Sequence, residues 1–188
     1  MKVFDFDNTI YLGESSIDFI LLMMKYNKKI IFHLPRIFIT LIKYKMCLIN
    51  KDKLESLINK YLKLMIVEKN KILNLVNEFW QTHEKNLNQD MLKLINKEDV
   101  IITAGPNFLI NGVKDKLNTK NIISTEVDLD KMEITNFNFG SAKVESYKEK
   151  YNNKEIEAFY TDSYHDKPLM DLSKKAYLVK KGKIKELK

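Results

Sequence analysis

The chain has 188 residues, 45% hydrophobic and 30% charged, and a net charge of +7. That much apolar material excludes a disordered polymer, and the length allows one real core with a modest insertion. Arg36 is the only arginine, so the clustered guanidinium chemistry favoured for phosphate-backbone and base recognition is missing and no nucleic-acid partner is expected.

Met1-Lys2-Val3-Phe4 is a short apolar strand that opens onto Asp5-Phe6-Asp7-Asn8-Thr9. Alternate residues of a strand face the same way, so Asp5 and Asp7 project together, and two close carboxylates need a cation or a proton between them. Because this strand starts at residue 3, a cleavable leader has no room ahead of it, and a cytoplasmic protein is expected. Cys47, the only cysteine, excludes an internal disulfide and reads as a small core residue.

After Gly13 the character changes to helical through about Leu94, with Ser15 and Ser16 suited to capping the first helix. Ile17, Ile20, Leu21 and Met24 recur at helical spacing, as do Leu54, Leu57, Ile58, Tyr61, Leu62 and Met65, and then Ile72, Leu75, Val76 and Phe79. Residues 15–94 are therefore expected to form an inserted all-helical unit, hinged near Gly13 and Leu94. Its segment 30–42 is unusually apolar but is interrupted by His33, Pro35 and Arg36, which argues against a membrane span. Core packing within the helical unit is one explanation. Peripheral contact with an anionic bilayer, helped by Lys43 and Lys45, is the other.

Asp99 to Gly105 is a buried-strand pattern ending at Thr103-Ala104-Gly105, followed by a helix expected from Pro106 to about Leu117. Strands are expected at 121–125, 132–137 and 156–161, a helix at 142–151, and a closing hairpin that turns at Lys181-Gly182. Strands alternating with helices predict an α/β fold, a Rossmann-like parallel sheet whose ligand site lies at the strands' carboxyl ends. The sheet core is assigned to residues 1–14 and 95–188. Thr103 on this pattern either caps the following helix or offers its hydroxyl to a ligand, and both roles are compatible.

Four segments in chain order carry a family resemblance. Asp5-Phe6-Asp7-Asn8-Thr9 resembles motif I of the haloacid dehalogenase-like (HAD) hydrolases, and Thr103 with Ala104 and Gly105 resembles motif II. Gly140-Ser141-Ala142-Lys143 is similar to motif III of the phosphoserine-phosphatase-like branch (subfamily IB), and Asp162-Ser163-Tyr164-His165-Asp166 to its motif IV. The helical insertion resembles the C1 cap of that branch.

The resemblance implies an Mg²⁺-dependent phosphatase of a small phosphorylated substrate that works through an aspartyl-phosphate. Asp5 is the implied nucleophile, Asp7 the acid and base, and Thr103 and Lys143 the partners of the phosphoryl oxygens. Asn8, Thr9, Ala104 and Gly105 would border the phosphate, with the amides near Asn8 and Thr9 donating to it. Asp5, Asp7, Asp162 and Asp166 would serve the metal, Asp7 through its carbonyl and Asp166 through a water or the lysine. Glu14 aligns with a glutamate that meets the substrate amino group in phosphoserine phosphatases, although it also suits the start of a helix. No cap arginine for the substrate carboxylate is evident, so phosphoserine is not the favoured substrate. A lipid-like phosphate at a membrane surface, and phosphoryl transfer with the same nucleophile, stand as alternatives. A non-catalytic binding protein is disfavoured because Asp5, Asp7, Lys143 and Asp162 are all present.

Overall fold

A computed structural model describes residues 1–28, 30–46, 48–65 and 69–188. Cys47, expected in the core, lies outside the described residues, as do the side chains of Tyr61, Leu62 and Met65. Among the described residues seven strands form one sheet in the order β4-β3-β2-β1-β5-β6-β7. Strand β1 (Lys2–Phe4) is central and pairs in parallel with β2 (Val100–Pro106) on one side and β5 (Ile156–Thr161) on the other. Strands β3 (Asn121–Asp128) and β6 (Ser173–Lys180) extend the parallel sheet, and β4 (Glu133–Asn136) and β7 (Lys183–Glu186) close its edges antiparallel. The chain leaves β1 in both directions of the strand order, which makes the carboxyl end of β1 the switch point where open α/β sheets bind ligands.

The insertion after β1 holds α1 (Ser15–Tyr26), α2 (Ile30–Lys45), α3 (Lys51–Met65) and α4 (Lys69–His83). Helix α2 runs through Pro35 without ending there. Helix α4 is fastened to the sheet layer. Trp80 Nε1 donates to the Leu109 carbonyl at 2.7 Å, and a Cβ built on Gly112 would lie 2.4 Å from Val76 and 2.7 Å from Trp80. Only a glycine allows that approach. Trp80 also meets Phe6, Tyr11 and Phe79 edge-on, an aromatic cluster beneath the loop that follows β1.

The chain returns through Leu87, which bridges Tyr11, and Asn88, whose amide donates to the Ile10 carbonyl at 2.7 Å. Asn88 then caps α5 (Gln89–Leu94) by accepting from the amides of Asp90 and Met91. The return is therefore tied to the loop after β1 several residues before Leu94.

Two expectations are corrected. Pro106 does not start a helix: its ψ of 141° extends β2, and α6 spans only Asn107–Asn111 before a 3-10 turn at Lys114–Lys116. Gly112, the residue that follows α6, lies close against Val76 and Trp80 of α4. The serines do not cap α1 through their side chains either; Glu14 occupies the cap position without a side-chain bond. Helix α7 (Ala142–Tyr151) and β5 fall where the sequence pattern placed them, α8 (Lys167–Leu172) follows β5, and β6 and β7 turn through Lys181 and Gly182, both at positive φ.

Candidate active site

Asp5 stands one residue past the end of β1, its amide donating to the Tyr160 carbonyl of β5 at 2.8 Å. That bond continues the β1–β5 ladder and sets Asp5 beside Thr161, which ends β5, and Asp162, which follows it. Gly140 at φ +60° turns the chain into α7, whose second residue is Lys143. The Lys143 ammonium lies 2.8 Å from Asp5 Oδ1 and 3.0 Å from Asp166 Oδ2, with all three side chains buried. Thr161 Oγ1 donates to the same Asp166 oxygen at 3.0 Å. One cation is thus shared by two buried carboxylates, and the lysine is oriented by Asp166 on one side while it faces Asp5 on the other.

Asp7 is held by the start of the inserted unit. Its Oδ1 accepts the Ser15 amide at 2.7 Å, so this carboxylate caps the amino end of α1 in place of the serines. The intervening loop is compact. Asn8 adopts φ 55°, its amide donates to Gly13 O at 2.9 Å, and Thr9, Ile10 and Tyr11 all donate to Phe6 O. The amides of Asn8 and Thr9, expected to face a phosphate, are instead turned into the loop, which needs them to close. Gly13 is at φ +146°, where a Cβ would stand 3.1 Å from the Tyr11 ring, and the Tyr11 hydroxyl donates to Asp18 at 2.7 Å.

Asn8 Nδ2 donates to Glu14 Oε1 at 2.7 Å. A cavity of about 420 Å³ opens here, lined by Asn8, Leu12, Gly13, Asp162 and the hairpin residues Lys180 and Lys181.

Thr103 is buried and its Oγ1 accepts the Gly105 amide at 3.0 Å. Helix α6 starts only at Asn107, so Thr103 is not its cap. The ladder between β2 and β3 shifts register between Ile102 and Pro106, which lifts Thr103, Ala104 and Gly105 out of regular pairing. The carbonyls freed by the shift find side chains: Asn138 Nδ2 donates to Thr103 O at 2.8 Å, and Thr125 Oγ1 to Ala104 O at 2.8 Å. A Cβ on Gly105 would stand 3.6 Å from Ser16 Oγ, which puts this loop next to the start of α1.

Electrostatically the site is short of positive charge. Burial raises the Asp5 carboxyl above its ordinary value, with Asp166 and Asp7 adding to the rise and Lys143 opposing it. Burial also raises Asp7, against the Ser15 hydrogen bonds, and raises Asp162, against Lys180. Glu14 rises through burial and then through Asp7 and Asp162. For Lys143 burial works against the charge, but Asp5 and Asp166 outweigh it and hold the ammonium well above its usual range. Oxygen donors carrying unbalanced negative charge fit a hard divalent cation.

Among the described residues no three acidic, histidine or cysteine side chains are grouped tightly enough to hold an ion alone. Mg²⁺ does not need such a cage, since one or two carboxylates with carbonyl, water and phosphate oxygens suffice. Asp5, Asp162 and the Asp7 carbonyl could supply that set, whereas the Asp166 carboxylate is engaged by Lys143 and Thr161. His165 is exposed, with its amide on Ser163 Oγ. Arg36 is exposed on α2.

Sequence reasoning missed the Ser15 amide, Thr161 and Asn138. Thr161 carried a signal, a hydroxyl one residue before Asp162 at a strand end. Asn138 and the Ser15 amide act through contacts that local sequence does not encode.

Residues 3–171 match the haloacid dehalogenase-like hydrolase family, and the chain belongs to it. No curated protein sequence matches the chain. In fold it is similar to a protein with unknown function from Bordetella pertussis Tohama I, with a TM-score of 0.70 at 16% identity, covering 94% of this chain and 87% of that one. It is also similar to a phosphoserine phosphohydrolase-like protein from Francisella tularensis subsp. tularensis SCHU S4, with a TM-score of 0.60 at 21% identity over 94% and 86% of the two chains. A phosphoserine phosphatase solved as a phospho-aspartyl intermediate analogue gives a TM-score of 0.55 at 15% identity over 93% and 83%. At these identities the likeness is one of fold.

Proposed function

We propose that the protein is an Mg²⁺-dependent phosphomonoester hydrolase that uses Asp5 as nucleophile on a small phosphorylated metabolite. The observation that carries this reading is the buried Lys143 ammonium between Asp5 and Asp166 at the switch point of the sheet. A lysine so placed neutralises a carboxylate's charge as it approaches a phosphoryl group and offsets charge on the transferring oxygens.

In the proposed reaction the Asp5 carboxylate attacks phosphorus in line, forming the Asp5–phosphorus bond as the ester P–O bond breaks. Asp7 delivers its proton to the departing alkoxide, a role favoured by its raised pKa. Asp7 then takes a proton from water as that water attacks phosphorus, and the Asp5–phosphorus bond breaks to release inorganic phosphate. Thr103 and Lys143 serve the phosphoryl oxygens. Mg²⁺, held by Asp5, Asp162 and the Asp7 carbonyl, would supply positive charge that makes the carboxylate cluster tolerable and polarises the phosphate. Helices α1 to α3 act as a cap over this chemistry, with α4 staying with the core.

Phosphate release across a panel of phosphoserine, sugar phosphates, nucleotides and lipid phosphates, with and without Mg²⁺, tests the reading. Asp5→Asn is expected to lose at least roughly a thousandfold in kcat while keeping its circular dichroism. Wild-type rates in that variant would remove Asp5 as nucleophile. Phosphorylated product appearing on an added alcohol, in place of free phosphate, would reassign the chemistry to phosphoryl transfer.

A further inference from the structure

The inserted unit carries a face that the proposed chemistry does not use. Helix α2 turns Ile30 and Thr40 inward, while Ile31, Phe32, Phe38, Ile39 and Ile42 are exposed, Phe32 at 76% and Phe38 at 65%. These outward positions follow the spacing of one helical side, so the solvent face of α2 is as apolar as its packed face. A helix with a second, exposed apolar face has a surface to cover. Met46 and Leu48, just beyond its end, are exposed as well, at 64% and 65%.

Charge is concentrated on the same stretch. Lysines occur along the whole chain, yet between Asp18 and Asp52 there is no acidic residue and there are seven basic ones, from Lys25 to Lys51. The net charge of the entire chain is +7, so this stretch holds all of it and the remainder is neutral. Lys25, Lys28, Arg36 and Lys43 are exposed, with Arg36 and Lys43 at the seven-residue spacing that puts both on one flank of α2. Basic side chains beside an exposed strip of Phe and Ile, with no acid among them, match a helix lying in the plane of an anionic bilayer interface. A second copy of the chain is disfavoured as the occupant, because it would set two such cationic faces against each other. Sixteen residues of helix reach about 24 Å, short of a hydrocarbon core, and among the described residues no helix is long and apolar enough to cross a membrane.

We infer that the outer face of α2 docks the protein reversibly on an anionic lipid surface, with Phe32, Phe38 and Ile39 entering the interface and Arg36 and Lys43 meeting the headgroups. This surface is independent of the hydrolase chemistry, and binding reads it without any turnover.

The test is co-sedimentation of the full chain with phosphatidylcholine vesicles and with phosphatidylcholine–phosphatidylglycerol vesicles, at low and physiological salt. Binding is expected on the anionic vesicles, weak or absent on the neutral ones. It should fall by about tenfold or more in Phe32→Asn/Phe38→Asn and by a similar factor in Arg36→Gln/Lys43→Gln. Both double variants alter exposed side chains and should keep the wild-type melting temperature. No binding to anionic vesicles, or binding that neither double variant weakens, overturns the inference. So does a concentration-dependent dimer in sedimentation velocity that Phe32→Asn/Phe38→Asn abolishes in a chain that ignores vesicles, which would assign the face to a second copy. Capture by an acidic polypeptide such as polyglutamate, at salt where vesicles do not bind, would assign it to an acidic protein.

Discussion

The carboxyl end of β1 and the outer face of α2 invert the usual distribution of residues in opposite senses. At β1 a buried lysine lies within 3.0 Å of each of two buried aspartates; on α2 two phenylalanines and an isoleucine stand more than half exposed. Charged groups avoid interiors and large apolar groups leave water, so each inversion costs stability in the isolated molecule. The two costs have different physical remedies. The buried cluster lacks positive charge, which a cation and a phosphate-bearing substrate rearrange, whereas the α2 face lacks an apolar environment. Sites that violate the packing rules in this way are where function is to be sought.

The largest expected effect separates the members of the buried cluster. Lys143→Met removes the ammonium shared by Asp5 and Asp166 and leaves both acidic side chains buried without it, which is expected to cost about 3–5 kcal/mol in urea unfolding. Asp5→Asn should do the opposite in metal-free buffer, because Lys143 keeps Asp166 as its partner. The sign follows from linkage. Asp5 titrates at about 8 in the folded chain against 3.8 for the free group, so its contribution to stability is full below pH 4 and is lost as pH rises toward 8. The melting temperature of Asp5→Asn should therefore exceed that of the wild type by a margin that widens from pH 5 to pH 8, and Mg²⁺ should narrow it. A margin independent of pH would show that burial does not act on Asp5 as described.

Second is Gly112→Ala, which sharpens the division between α4 and the rest of the insertion. Its Cβ would fall 2.4 Å from Val76 and 2.7 Å from Trp80, both buried, so α4 must shift from the sheet layer at about 1–3 kcal/mol. If α4 belongs to the core, hydrogen exchange should rise in α4 and α6 together while α2 and α3 are unchanged. A uniform increase over all four inserted helices would make them one unit.

How far the sequence anticipates these features depends on the range of the interaction. Helix α7 and β5 were legible at both ends because a glycine-led start and an apolar run bounded by polar residues are local signals. Asp5, Asp7, Lys143, Asp162 and Asp166 stand out as a set through their order along the chain, and the structure brings Lys143 into contact with both Asp5 and Asp166. The pinning of Asp7 by the Ser15 amide and of the Thr103 carbonyl by Asn138 was not legible, since each joins segments only the finished fold makes neighbours. The helix expected after Pro106 is shorter in the fold, and the residue that follows it, Gly112, lies against Val76 and Trp80, 36 and 32 residues upstream. For α2 the apolar character was visible, but a helix with apolar residues on two faces does not reveal which one meets water.

The smallest expected effects lie where α3 meets the sheet edge. Asn59 Oδ1 accepts the Ile134 amide of β4 at 2.7 Å in a part-buried setting, and nearby Lys63 reaches Glu133 at 2.6 Å with both side chains well exposed. Replacing Asn59 with Ala leaves an edge-strand amide without its partner and should cost about 1 kcal/mol, moderated by the access water has to that edge. Lys63→Gln removes only a screened surface pair, worth roughly 0.2–1 kcal/mol and less in high salt. Urea unfolding of both variants at low and high salt should thus give a salt-independent loss for Asn59→Ala and a smaller, salt-sensitive one for Lys63→Gln. The reverse order would mean that the inserted unit rests on β4 by charge, and its position over Asp5 would then vary with ionic strength.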